Sequence, residues 1–229
     1  MDREFSAISK KQIETIKRRK KEGIDIPLKE KVQSKETTTL LEDVYLIHNA
    51  LPEINIEDIK LNTVFLGRNF SAPIIIDSMT GGTDEALVIN KRLGRIAEKY
   101  GLAMGLGSQR AGLKSDKLVE SYSVARHVAP NAFLIANIGG AQLAEGLSKD
   151  DVKKIIKMID ANALAIHLNP LQELIQPEGE PHFEGILQKI TKSYTLLVFV
   201  FIQNKKQDII VNNFIFYTIV IGLFSSNYS

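Results

Sequence analysis

Four short apolar runs recur about every 30 residues: Pro73 to Ile76, Leu102 to Met104, Phe133 to Ala136 and Ala163 to Ile166. Each is short, continuous and apolar, the pattern of a strand buried on both faces. Amphipathic stretches lie between them. Leu87, Leu93, Ile96, Ala97 and Tyr100 fall near one helical face, as do Leu118, Tyr122 and Ala125. Val152, Ile155, Ile156 and Ile159 keep the i, i+3, i+4, i+7 spacing. Ser148, with Asp151 three residues later, predicts an N-cap with an acidic first turn, and Ser115 predicts a cap for the helix of Leu118 to Ala125. A period of about 30 residues is the size of a βα unit. The chain is therefore expected to be α/β with a parallel sheet, either doubly wound or a (β/α)₈ barrel, and strand order separates the two.

The flanks differ in kind. Residues 1–35 carry 11 Lys/Arg against 6 Asp/Glu, with an unbroken basic run from Lys17 to Lys21, and read as a helix or an unsettled arm. Residues 36–72 read as irregular structure with short strands. Residues 73–193 hold the four βα units. Residues 194–229 contain no alanine and five of the chain's ten phenylalanines. There, Leu196 to Ile202 is in phase for a fifth strand, and Ile209 to Phe224 reads as an aggregation-prone strand pair. That last stretch, at about 16 residues, is shorter than the roughly 20 of a membrane span, so no tail anchor is expected. No apolar stretch follows Met1-Asp2-Arg3-Glu4, so no signal peptide and a cytoplasmic location are expected. The absence of cysteine removes disulfides, thiolate metal sites and a cysteine nucleophile. A net charge of +2 supplies no global field for nucleic acid.

In parallel α/β folds ligands bind at the carboxyl ends of strands. Those positions carry DSMTGGT (Asp77 to Thr83), GLGSQR (Gly105 to Arg110), NIGG (Asn137 to Gly140) and HLNPLQE (His167 to Glu173). Three of the four contain glycine, which lets a ligand approach the backbone, although Gly105 and Gly107 serve equally to relieve crowding and Gly81-Gly82 to make a turn. His167, Asn169, Gln172 and Glu173 form a polar cluster expected on one strand-end loop. Glu173 has no second ligand at metal spacing, so Mg²⁺ shared with a substrate phosphate fits better than an all-protein cage. The basic run reads as a solvated face, or as a source of the one Arg and one Lys that diphosphate capture needs.

DSMTGG, GLGSQR, IANIG and especially AIHLNPLQE resemble the type 2 isopentenyl-diphosphate isomerases, which are FMN-dependent (β/α)₈ barrels. HNALPEI (His48 to Ile54) and the pair Arg19-Lys20 are similar to that family's N-terminal region. The resemblance runs from about Arg18 to Lys192. It implies interconversion of isopentenyl and dimethylallyl diphosphate by proton movement, with reduced FMN, NADPH and Mg²⁺. It also implies homo-oligomers and no nucleic-acid partner. By the same resemblance Ser78, Met79, Thr80, Ser108 and Asn137 would contact the flavin. Arg19, Lys20, Ser108, Gln109 and Arg110 would grip the substrate, chiefly its diphosphate, with His167 and Asn169 facing it. Gln172 would be the catalytic residue nearest the allylic carbons, and Glu173 would bind Mg²⁺. The alternatives are an FMN oxidoreductase on the same barrel and an inert or nucleic-acid-binding fragment.

Two departures carry expectations. Gly23 stands where the family has histidine. Nothing in Tyr194 to Ser229 resembles the family's next strands, and residues 73–229 are far fewer than the about 240 that eight units require. A truncated or frame-disrupted reading frame, an incomplete barrel and an inactive chain are expected.

Overall fold

The computed structural model describes residues 10–32, 38, 41–176, 179–193, 198–202 and 217–222. The basic arm is helical, as α1 (Lys10–Lys29) with Pro27 in its last turns. After it, Leu41–Asp43 and Ile56–Asp58 form single 3₁₀ turns within otherwise irregular, exposed chain. β1 (Thr63–Phe65) and β2 (Arg68–Phe70) make an antiparallel hairpin. Its turn places Leu66 at φ 47° and Gly67 at φ 73°, the left-handed pair that a two-residue hairpin needs.

The repeating part follows in order: β3 (Ile75–Ile76), α2 (Asp84–Tyr100), β4 (Ala103–Gly105), α3 (Arg110–Lys114), α4 (Glu120–Val128), β5 (Phe133–Gly139), α5 (Gly140–Ala144), α6 (Lys149–Met158), β6 (Ala163–Leu168), α7 (Pro170–Ile175) and α8 (Ile186–Ser193). The four apolar runs are β3, β4, β5 and β6, each parallel to the next and neighbouring it in chain order, with no reversal point. α2, α4, α6 and α8 all bury residues against one face of this sheet, among them Ala97, Tyr122, Ile155 and Ile190 over Met104, Leu134, Leu164 and Ile166. A doubly wound sheet needs helices on both faces. The opposite face is closed by Phe70 and Phe65 of the hairpin, which meet Phe133 edge-on at 5.4 and 6.5 Å between centroids.

Four local expectations change. β5 and β6 extend past their apolar runs, so Asn137 and His167 are strand residues rather than loop residues. NPLQE folds into α7 because Asn169 caps it and Pro170 starts it. On α2, Ile96 and Tyr100 are exposed and the buried stripe is Ala86, Asn90, Gly94 and Ala97. Periodicity overlooks Asn90 because it is polar, yet its amide donates to the Thr80 and Ser121 carbonyls and is fully satisfied in the core. Ser115 makes no side-chain cap, since Asp116–Leu118 turns as 3₁₀ before α4 begins. The Ser148 expectation holds: its hydroxyl accepts from Asp151 N at 3.1 Å and Asp151 reciprocates at 3.2 Å.

In the tail, β7 (Val198–Ile202) does form where a fifth strand was expected. It is not β6's neighbour, however. β8 (Tyr217–Gly222) lies between them, antiparallel to both. A hairpin can satisfy the open edge of β6 with antiparallel bonds, whereas a parallel neighbour requires a crossover connection. Leu196, Leu197 and residues 203–216 lie outside the described residues. Among the described residues no helix is long and apolar enough to cross a membrane.

Candidate functional site

The carboxyl ends of β4, β5 and β6 are roofed by α1. Between them is a cavity of about 310 Å³ lined by residues from five elements. α1 contributes Thr15, Ile16, Arg19 and Lys20, and the turn into α3 contributes Ser108, Arg110 and Lys114. Gln142 comes from α5, His167 from β6, and Asn169, Gln172, Glu173 and Gln176 from the α7 segment. Eight of the residues singled out from sequence thus meet in one space.

Four cations converge there. Lys20 reaches across 88 positions of sequence to the Ser108 carbonyl, at 3.4 Å, where the Tyr122 hydroxyl also donates at 3.0 Å. Burial first, then Arg19 and Arg110, bring the Lys20 pKa down to about 8. Burial likewise lowers Arg110 and Lys114 from their ordinary values. Arg110 forms a bidentate pair with Glu180, while its Nε is buried with no partner.

His167 is held neutral. Burial, and then Lys20, brings its pKa down to about 4. Its Nδ1–H donates to Asn137 Oδ1 at 2.8 Å, which leaves Nε2 as an acceptor. Asn169 accepts from Gln172 N at 3.4 Å, and its amide donates to the Gln172 side chain, so the cap of α7 also orients Gln172. Glu173 accepts from Glu180 N at 2.8 Å.

The remaining expected site residues lie elsewhere. Gln109 is fully buried, and its amide bridges the Ile155 carbonyl at 2.9 Å and Asn137 N at 3.0 Å. It faces the core rather than the cavity. Thr80 is buried, Met79 is exposed, and Ser78 packs its hydroxyl over Gly105. A Cβ at Gly105 or Gly107 would lie 2.3 Å from Ser78 or 2.5 Å from Thr80 backbone, so these glycines admit the first strand-end loop rather than a ligand. The Gly82 N–H is given to the Ser121 hydroxyl at 2.7 Å.

Sequence reasoning missed Lys114, Gln142 and Glu180. Lys114 stands four residues after Arg110, on the same face of α3, which is a legible signal. Gln142 stands two residues after NIGG. Glu180 carried no signal, since a carboxylate in a polar connection reads as solvated. A second, apolar cavity of about 360 Å³ adjoins the first and shares His167, Asn169 and Glu173 with it. Among the described residues no three His, Asp or Glu side chains cluster to hold a metal.

No protein-family model matches the chain. Curated proteins do match it, among them several that carry the name isopentenyl-diphosphate delta-isomerase. One from Aeropyrum pernix is 46% identical over 175 residues, covering 76% of this chain and 46% of its own. One from Nostoc sp. is 45% identical over 174 residues, covering 76% and 49%. One from Rickettsia prowazekii is 49% identical over 172 residues, covering 75% and 50%. The chain spans about half the length of the curated relatives it matches.

Proposed function

Three-quarters of the chain is homologous to the isopentenyl-diphosphate delta-isomerases, and on that premise we propose that its cavity takes an isoprenoid diphosphate for isopentenyl–dimethylallyl interconversion. The observation that carries the reading is the convergence of Arg19, Lys20, Arg110 and Lys114 on one cavity from elements remote in sequence. Diphosphate is the ligand whose charge and oxygen count suit such a cluster, because charge-assisted bonds from guanidinium and ammonium groups are the strong ones. The sequential strand order and the single helical face support reading the sheet as the first half of a (β/α)₈ barrel.

The residues fit the expected cofactors. On the sheet face away from α2, α4, α6 and α8, Asn137 of β5 and His167 of β6 are hydrogen-bonded to each other, and these are the groups that would meet a flavin ring. FMN, reduced by NADPH, would lie there and supply the strong acid–base group that moving a proton on a hydrocarbon requires. Glu173 is one carboxylate beside a diphosphate cavity, and Mg²⁺ is commonly held by one or two carboxylates plus substrate phosphates. Within this arrangement the chain's own groups bind and orient. Arg19, Lys20 and Arg110 hold the diphosphate, neutral His167 adds no charge beside the hydrocarbon, and Asn169 presents Gln172 to the allylic carbons.

Calorimetric titration of the full chain with isopentenyl diphosphate tests the reading. Micromolar binding, tightened by Mg²⁺ and lost in Arg19→Ala/Lys20→Ala, is expected. No heat at millimolar ligand, or binding indifferent to that double substitution, overturns it. Turnover is read in a chimera joining residues 1–193 to the second half of the Aeropyrum pernix protein, where Gln172→Ala is expected to abolish formation of the allylic isomer.

A further inference from the structure

We infer that Glu180 is a positioning residue that sets both the cation that grips the diphosphate and the carboxylate that would hold its metal. The inference rests on the functional reading above. Glu180 does not line the cavity, but three residues that do line it, Arg110, Gln142 and Glu173, are hydrogen-bonded to it. Its carboxylate takes both terminal nitrogens of Arg110 and also accepts from Gln142 Nε2 at 3.1 Å. Its backbone N–H donates to Glu173 Oε2 at 2.8 Å. One residue thus reaches the cation and the anion of the site through two different groups.

The chain is built to bring it there. A Cβ at Gly179 would lie 1.9 Å from the Glu173 carbonyl oxygen, so only glycine lets the segment pass this close beneath α7. The Glu180 side chain is 14% exposed and that of Arg110 21%. A carboxylate this enclosed holds a guanidinium far more firmly than a surface pair does. Arg110 needs the help, because its Nε is buried without a partner and Arg19 repels it from across the cavity. Without Glu180 no carboxylate is paired with the terminal nitrogens to fix the guanidinium's plane, although Glu145 and Glu173 still attract it while Arg19 repels it.

The side-chain and backbone arms are separable by experiment. Glu180→Gln removes the charge on the Arg110 arm and keeps the N–H to Glu173. The assay is calorimetric binding of inorganic pyrophosphate to the full chain, with EDTA or with Mg²⁺, alongside thermal melts. Expected are a roughly tenfold loss of affinity in Glu180→Gln, partial recovery in Glu180→Asp, and an unchanged ratio between the Mg²⁺ and EDTA affinities. In an Arg110→Met background the Glu180→Gln loss should vanish, which a merely structural role would not produce. Should Glu180→Gln fail to fold, Glu180→Asp in the two backgrounds carries the same comparison. Unchanged or tighter binding in Glu180→Gln, or a loss that adds to that of Arg110→Met, overturns the inference alone. Pyrophosphate binding indifferent to Arg110→Met overturns the functional reading, and this inference with it.

Discussion

Gln109→Leu separates a structural glutamine from a substrate-binding one. The side chain is fully buried, and its two ends satisfy the Ile155 carbonyl and Asn137 N. Leucine is close in volume and fills the space, so the cavity term is small. Two buried backbone groups lose their partners, however, at about 1–3 kcal/mol each, while the leucine recovers part of this through its apolar transfer. The net loss is about 2–4 kcal/mol. For a chain of this length each kcal/mol moves the melting temperature by about 2–4 °C, so a fall of roughly 5–15 °C is expected. In urea the midpoint should drop by about 1–2 M, given a slope near 2 kcal/mol/M. Pyrophosphate affinity at 15 °C, where the variant remains folded, should change less than threefold. A melt within about 1 °C of the parent refutes the packing argument. A tenfold loss of affinity with an unchanged melt would return Gln109 to the substrate.

Three further outcomes follow from the same geometry. Pyrophosphate affinity should fall as pH rises through about 8, where free Lys20 loses its proton, and Lys20→Met should flatten that part of the profile. Stability should decline on acidification between about pH 6.5 and 4, because unfolded His167 takes a proton there and folded His167 does not. At most about 3 kcal/mol rides on that difference, and His167→Asn should remove the slope from urea midpoints measured across the range. Ser148→Ala breaks the reciprocal cap of α6 and should cost about 1 kcal/mol, read as a melting shift of a few degrees.

Local chemistry alone determined a good part of this protein. The 30-residue recurrence located β3 to β6. For β4 to β6 the reason is that a strand buried on both faces must be continuously apolar, whereas β3 is a sheet edge with Ile74 and Ile75 exposed. Ser148 with Asp151 specified the start of α6, since a cap is completed within one turn. Residues such as Arg19, Arg110, His167 and Glu173 were legible as strand-end or arm chemistry before any contact was known. Tertiary structure decided the rest. Ser108, Gln109 and Arg110 are consecutive, yet the first offers a carbonyl to Lys20, the second enters the core and the third faces the cavity. Which of three neighbours turns inward depends on where β5 and α6 leave a backbone donor and acceptor unpaired. The burial of Asn90, the hairpin that sets β8 rather than β7 beside β6, and the reach of Glu180 to Arg110 are likewise pairings across the chain. Periodicity reports how much of a residue is apolar at a given spacing. It carries nothing about which distant polar group will arrive to satisfy one that is buried.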